Sequence, residues 1–217
     1  MAINEKEVIA NAQQDPEAFG QLYDEYYKPI FGFMYSRTGN NEVAKDLTSE
    51  TFFQALKNLH RFKYREGISI KSWLFAIAVS QIGNYFRQRA KVFEVTIDEA
   101  PEIIERDEFR PDVAFQIGED VEEVRNKIVQ LRRVMKQLNQ KQQDIITLRF
   151  FSKMTIPDIA ATMKMKEGTI KSHIHRAIKK MSVLMIQESN AIQESNESTK
   201  SAQNVYVFHS EPNRRNA

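Results

Sequence analysis

Thr155-Ile-Pro-Asp-Ile-Ala-Ala-Thr-Met163, a short turn, and then Glu167-Gly-Thr-Ile-Lys-Ser-His-Ile-His-Arg-Ala-Ile-Lys-Lys180 have the order of a DNA-reading helix-turn-helix. Thr155 is placed to cap the first helix, with Asp158 three residues on, and Pro157 falls in the first turn, where its missing N–H costs little. The second helix is expected to begin near Glu167. At roughly 100° per residue, Ile170, Ile174, Ala177, Ile178 and Met181 fall on one face, with Ser172, His175, Arg176 and Lys179 opposite. One face packs and the other is free to enter a major groove. Between Lys164 and Lys180 six Lys/Arg stand against one acid, a balance suited to phosphate attraction.

The surrounding chain narrows the class. Its 217 residues, 28% charged and 41% hydrophobic, suit one large or two small globular domains. There is no cysteine, so disulfides and thiolate zinc sites are excluded, and with them a zinc finger as the reading device. The start, Met-Ala-Ile-Asn-Glu-Lys-Glu, lacks the features of a signal peptide, and no apolar run is long enough to span a bilayer. A cytoplasmic protein without a membrane span is expected.

The net charge of +2 conceals strong segregation. Glu94 to Glu123 carries twelve Asp/Glu and two Arg, a net of −10, whereas Lys71 to Lys91 has four Lys/Arg and no acid. Two basic surfaces are thus separated by an acidic connector.

The pattern predicts an all-α protein: two small helical domains joined by a flexible acidic linker, the second containing the helix-turn-helix. A helix starts at Asp15-Pro-Glu, runs through Phe19, Leu22, Tyr23, Tyr26 and Tyr27 towards Tyr35 with a kink at Pro29, and closes at Gly39-Asn40-Asn41. A second covers about Glu42 to Leu59, with Val43, Ala44, Leu47, Phe52, Ala55 and Leu56 available for packing. A basic loop from His60 to Arg65 ends at Gly67. The helix from about Lys71 to Lys91 begins apolar on nearly every side, then presents a polar stripe ending in positive charge. Pro101 and Pro111 break periodicity in the linker at 93–119. Helicity resumes near Asp120, continues from Lys141 to Phe151 and leads into the helix-turn-helix, so the second domain covers 120–186. From Gln187 to Ala217 the composition, with Gln-Glu-Ser-Asn occurring twice, predicts a disordered tail.

Two separated blocks resemble the extracytoplasmic-function (group 4) sigma factors of the sigma-70 family. The first comprises Asp15-Pro-Glu-Ala-Phe…Leu22-Tyr…Tyr26-Tyr27, Ala44-Lys-Asp-Leu-Thr-Ser-Glu-Thr-Phe52 and Trp73-Leu-Phe-Ala-Ile-Ala…Asn84-Tyr-Phe-Arg87. The second comprises Leu138…Gln143…Ile146…Leu148-Arg149, Asp158-Ile-Ala160 and Gly168-Thr-Ile-Lys-Ser…Arg176-Ala177. The resemblance covers most of residues 15–92 and 122–184. It implies a region 2-like domain at 1–92, a region 4-like domain at 120–186, and a dissociable subunit that has no catalytic site, metal or cofactor.

By position, the resemblance implies that Asp46, Leu47, Ser49, Glu50 and Phe53 dock on the clamp coiled coil of the RNA polymerase core. Arg61, Phe62, Tyr64, Arg65, Trp73, Ser80, Gln81, Asn84 and Arg87 would meet the minus-ten element and its unstacked base. Lys171, Ser172, His175, Arg176 and Lys179 would read the minus-thirty-five element. Further implied partners are the polymerase flap, promoter DNA and an anti-sigma factor, with the linker following the RNA exit path. A base held out of its stack needs aromatic and polar walls beside positive charge, which Phe62, Tyr64, Arg61 and Arg65 are able to supply.

The sequence departs from the family pattern at Lys45 and Ser49, where Glu and Gln are usual, at Ser80 for Asn, and at Asn139 for Pro. Lys164 replaces the turn Gly and Lys166 the Ser/Thr cap, weakening the recognition-helix start by up to about 1 kcal/mol. Trp73 suits a packed core as well as a DNA wedge, and Asp46 and Glu50 taken alone are an ordinary solvated helix face. His173 and His175 point to different helix faces and make no metal pair. A helix-turn-helix regulator acting without replacing sigma is the alternative, and a protein-docking module is a third.

Overall fold

Helix caps written into the sequence divide the first half of the chain. In a computed structural model that describes residues 5–64, 68–95 and 120–207, every regular element is helical. Helix α1 spans Glu5–Gln14 and is followed by a 3-10 turn, Pro16–Phe19, capped by Asp15, whose Oδ1 accepts from the Glu17 N–H at 2.9 Å. Helix α2, Gly20–Thr38, continues through Pro29 and stops where Gly39 adopts φ +68°, a left-handed conformation that glycine enters without steric cost. Asn40 then caps α3, Asn41–Asn58, by accepting from the Val43 N–H at 3.0 Å.

A 3-10 turn, Leu59–Arg61, precedes α4, Ile70–Val95. The core between these helices contains Leu22, Ile30, Phe33 and Met34 of α2, Ala44, Phe52 and Ala55 of α3, and Ile70, Leu74, Phe75, Ala78 and Ile82 of α4. Phe33 meets Phe75 edge to face at 5.8 Å. Helix α1, absent from the sequence reading, buries Val8, Ile9 and Ala12, and its Gln13 Nε2 donates to the Leu59 and Phe62 carbonyls at 2.9 and 2.8 Å. Two threonines enter the core of α3 where Leu56 was expected. Thr48 and Thr51 are fully buried with hydroxyls donating to the Ala44 and Leu47 carbonyls, whereas Leu56 is 41% exposed.

Helix α5 is Asp120–Lys136, and α6 is Gln140–Ile146, extended by a π turn over Thr147–Phe151. Asn139, where the family pattern has Pro, forms a capping box with Gln142: the Asn139 Oδ1 accepts from the Gln142 N–H at 2.9 Å while the Asn139 N–H donates to Gln142 Oε1 at 3.4 Å. Helix α7, Ile156–Met163, is capped by Thr155 as expected, and α8 begins at Glu167. Lys164 carries the turn at φ +52°, with the Met165 N–H returning to the Ala160 carbonyl at 2.9 Å.

Two compact units result. One contains α1–α4 together with α6, α7 and the first turns of α8 to His175. The sequence gives no sign that the helix-turn-helix packs on the N-terminal helices, yet Ile145, Leu148, Met154, Ile159 and Ile170 belong to the same buried core. Arg37 of α2, a residue the sequence reading did not single out, is buried. Its Nε donates to Asp144 Oδ1 at 2.8 Å, its Nη1 bonds Gln143 Oε1, and its guanidinium lies 5.3 Å from the Phe86 ring centre. Ser72 at the start of α4 bonds Asp158 at 3.4 Å, and Thr162 Oγ1 donates to the Ser72 carbonyl at 3.2 Å.

The second unit joins α5 to the later part of α8. The helices run antiparallel, as shown by Gln130 Nε2 to the Met185 carbonyl at 3.1 Å and Lys180 Nζ to the Gln137 carbonyl at 2.6 Å. Val134, Leu138 and Ala177 are buried. Where the composition leads one to expect a disordered tail from Gln187, α8 runs on to Val207. No Gly or Pro lies between Thr169 and Val207, so once the helix is nucleated each polar residue can propagate it. Of the linker expected at 93–119, α4 takes the first residues by running on to Val95, and 96–119, like Arg65 and the end of the tail, fall outside the described residues.

The Lys164 conformation generates a prediction. A side chain in the left-handed region costs about 1–2 kcal/mol, partly offset by the greater freedom of glycine in the unfolded chain. Lys164→Gly is expected to raise unfolding free energy by about 0.5–1 kcal/mol in denaturant titration, and Lys164→Val to lower it. An unchanged midpoint for both variants would contradict a strained turn.

Candidate nucleic-acid interface

On α8 the helical period sorts the side chains as the sequence predicts, with one exception. Ile170 and Ala177 are buried and Ile174 and Met181 half-buried, while Lys171, Ser172, His175, Arg176 and Lys179 are exposed. Ile178, expected on the packing face, is 43% exposed. It lies about 80° from Ile170 around the helix, at the margin of the stripe rather than its centre. Ser172 Oγ donates back to the Gly168 carbonyl at 2.9 Å, which orients its hydroxyl. The five expected residues therefore share one solvent-facing helical surface whose charge is positive.

On α4 the polar stripe opens after the buried first half. Ser80, Asn84 and Arg87 are exposed and Gln81 is half-buried. Arg87 donates to the Gly83 carbonyl at 3.3 Å and to Asn84 Oδ1, so these two polar side chains are presented as a pair. About 16 Å back along the helix axis from Asn84, Trp73 is half-buried and its ring packs 5.1 Å from Phe62.

Arg61, Phe62, Lys63, Ile68 and Trp73 line a cleft of about 240 Å³. Phe62 is only 7% exposed and is part of the buried core, so it backs the cleft and does not stand free as a wall for a base. Its backbone carbonyl is also held by Gln13, which fixes it against α1. Tyr64 is 50% exposed and Arg61 is exposed, with Arg61 Nε donating to His60 Nε2 at 3.2 Å. Lys63 and Ile68 are cleft residues that sequence reasoning passed over. The basic character of the loop was visible at Lys63, while nothing marked Ile68.

On α3, Asp46, Ser49, Glu50 and Phe53 are exposed and Leu47 is half-buried against the core. Phe53 is 59% exposed and stands near Leu56 in sequence, at 41%. Glu50 accepts from Gln54 Nε2 at 2.8 Å, and Lys45 pairs with Glu42 at 3.0 Å. An exposed phenylalanine flanked by carboxylates on a helix anchored by buried threonines is a surface suited to docking a protein that supplies both an apolar contact and cations. The structure thus places the expected residues on α3, α4 and α8 and on the turn and loop at 61–64, with Arg65 outside the described residues. Among the described residues, no group of three His, Asp or Glu is arranged to hold a metal ion.

Comparison with known proteins gives these surfaces a common frame. Residues 22–92 match the family model of Sigma-70 region 2, and residues 128–181 that of Sigma-70 region 4. The chain is 32% identical over 180 residues to the ECF RNA polymerase sigma factor BldN of Streptomyces coelicolor, covering 82% of this chain and 65% of BldN, just under two thirds of its length. It is 27% identical to the RNA polymerase sigma factor YlaC of Bacillus subtilis, covering 74% of this chain and 88% of YlaC. The fold is similar to that of CnrH, solved in complex with the cytosolic domain of CnrY, with a TM-score of 0.61 at 19% identity, covering 84% of this chain and 97% of CnrH. It is also similar to RpoE of Bartonella quintana, solved with the anti-sigma factor NepR, with a TM-score of 0.60 at 22% identity, covering 77% of this chain and 96% of RpoE. With the region 2 and region 4 models matched in order and relatives that include ECF RNA polymerase sigma factors, this chain belongs to the extracytoplasmic-function group of the sigma-70 family.

Proposed function

We propose that this chain is a dissociable, non-catalytic sigma subunit that directs RNA polymerase core to particular promoters and assists their opening. The observation that carries the reading is the pairing of a region 2 match with a region 4 match, each bearing an exposed polar face. In this reading α3 docks on the clamp coiled coil through Asp46, Ser49, Glu50 and Phe53, with Leu47 anchoring the helix. Region 4 meets the flap.

The minus-ten element meets Arg61, Tyr64, Ser80, Gln81, Asn84 and Arg87, with Arg65 completing the basic loop and Trp73 bordering the cleft that Phe62 backs. The cleft's aromatic and cationic lining is the chemistry that holds an unstacked base. Lys171, Ser172, His175 and Arg176 read the upstream element in the major groove, and Lys179 contacts phosphate. An anti-sigma factor is the proposed regulator, since NepR is one and is bound to a protein of this fold. No helix among the described residues is long and apolar enough to cross a membrane, consistent with action in the cytoplasm.

Run-off transcription from a promoter library, with purified core and with or without the chain, tests the reading. Transcripts that depend on both components are expected. DNA binding at the same sites without core, and no dependence of transcription on the chain, would instead favour an ordinary helix-turn-helix regulator.

Two further outcomes follow from the assigned faces. Asp46→Arg with Glu50→Arg is expected to abolish co-purification with core while leaving the circular dichroism unchanged; retention at wild-type stoichiometry would overturn the α3 assignment. Arg176→Ala is expected to relax preference at one upstream position by about 1–3 kcal/mol, whereas Lys179→Ala weakens all sequences alike. Selection from a randomised upstream element reads both, and an unaltered preference in Arg176→Ala would contradict base reading by that residue.

A further inference from the structure

The cleft at Arg61, Phe62, Lys63, Ile68 and Trp73 joins two pieces of chain, the end of the 3-10 turn and the start of α4. Groups that bind a ligand work only when held within about 0.5 Å of the productive geometry, so the spacing of these two pieces matters for anything the cleft receives. Phe62 and Trp73 touch across it with ring centres 5.1 Å apart. Ring pairs are accommodated over separations of about 4.5–7 Å, and that contact alone leaves the spacing open.

Helix α1 grips both pieces. Near its C-terminal end, Gln13 Nε2 donates to the Leu59 carbonyl at 2.9 Å and to the Phe62 carbonyl at 2.8 Å, on either side of Arg61 in the chain. At its N-terminal end, Glu5 Oε2 accepts at 3.4 Å from the N–H of Ile70, the first residue of α4, with Trp73 three residues on. Glu5 and Gln13 are eight residues apart, so a rod of about 12 Å connects the two anchors. Val8, Ile9 and Ala12, buried between them, seat that rod on the core. Gln13 itself is exposed, so what it contributes is directed hydrogen bonding and not packing. All of α1 lies ahead of residues 22–92, the part matched by the region 2 model.

We propose that α1 is a splint for the cleft, with Gln13 and Glu5 as positioning residues that set the separation of its walls and so decide how well an unstacked promoter base is retained. Neither side chain touches the base. Gln13 acts through the Leu59 and Phe62 carbonyls, and Glu5 acts through the Ile70 N–H. That the ligand is a base rests on the sigma-subunit reading, whereas the splint is a property of the free chain.

Trp73 is the sole tryptophan, so its fluorescence reports on the cleft in the full, free chain without a label. Gln13→Met keeps length, neutrality and helix propensity while removing both donors. It is expected to leave the helical circular dichroism unchanged, to shift Trp73 emission to the red and to raise its quenching by acrylamide. With core on a promoter, it is expected to lower the equilibrium constant for opening about tenfold, on the scale of two neutral hydrogen bonds, with core affinity and upstream preference unaltered. An abasic site scanned through the non-template strand of the downstream element finds the base that the wild type holds. At that position Gln13→Met should lose little more, because both changes remove one interaction. Gln13→Lys retains donors for the two carbonyls and should restore both signals, whereas Gln14→Lys added to Gln13→Met supplies the same charge one residue along and should not. Unmoved Trp73 emission in Gln13→Met, or losses that simply add to those of the abasic site at every position, would overturn the splint. Should Gln13→Met lose its helical signal, Glu5→Ala frees the other anchor and must shift Trp73 in the same direction, an unmoved emission counting against the proposal. A wild-type chain that opens no promoter with core, or shows no sensitive position, would refute the base-holding reading separately, with Trp73 in the free chain still deciding whether α1 holds the cleft.

Discussion

A buried guanidinium fixes how the larger compact unit is put together. Arg37 projects from α2 into the interior, where Asp144 and Gln143 of α6 accept its hydrogen bonds and the ring of Phe86 covers it. Burial pushes the Asp144 carboxyl above the usual aspartate range, and the charge of Arg37 offsets that only in part. The pair therefore contributes little net stability and a great deal of selectivity, since withdrawing either member strands the other. The apolar residues Ile145, Leu148 and Ile159 are buried in the same core. The capping box at Asn139 starts α6 at the residue that sets the phase of Gln143 and Asp144.

A second polar arrangement ties α1 to the same unit. Tyr26 of α2 donates to Glu5 Oε1 at 3.3 Å, and Glu5 Oε2 accepts from the Ile70 N–H at 3.4 Å. Burial, reinforced by the Glu5 charge, pushes the Tyr26 phenol well above its ordinary pKa, so it remains a donor throughout the physiological range. One carboxylate thereby links the starts of α1 and α4 with the middle of α2, holding α4 so that its second half reaches solvent with Ser80, Asn84 and Arg87 outward.

Much of this was legible in the sequence wherever a local rule suffices. Asp15-Pro16, Gly39-Asn40 and Thr155 mark helix boundaries because capping is a matter of neighbouring residues, and the α8 faces follow from the helical period alone. What escaped depends on tertiary partners. Nothing local marks Arg37 for burial until Asp144, more than a hundred positions away, is placed beside it. Thr48 and Thr51 read as polar until their hydroxyls turn back to the helix carbonyls, which lets α3 pack closely there and leaves Leu56 outside. Phe62 in a basic loop looks the same whether it faces a nucleobase or the core; Gln13 of the unrecognised α1 decides for the core. In the tail, composition bears on burial, while helix propagation depends on the absence of Gly and Pro.

The central claim is that α4 and α8 of a single chain read separate parts of one promoter. A photocrosslinking residue placed at Asn84 in one preparation and at His175 in another, each assembled with core on the same promoter, measures this directly. The account predicts crosslinks from Asn84 to the downstream element and from His175 to the upstream element, about 25 base pairs apart, with neither formed in the absence of core. Crosslinks from both positions to the same short segment, or equal crosslinking without core, would contradict it.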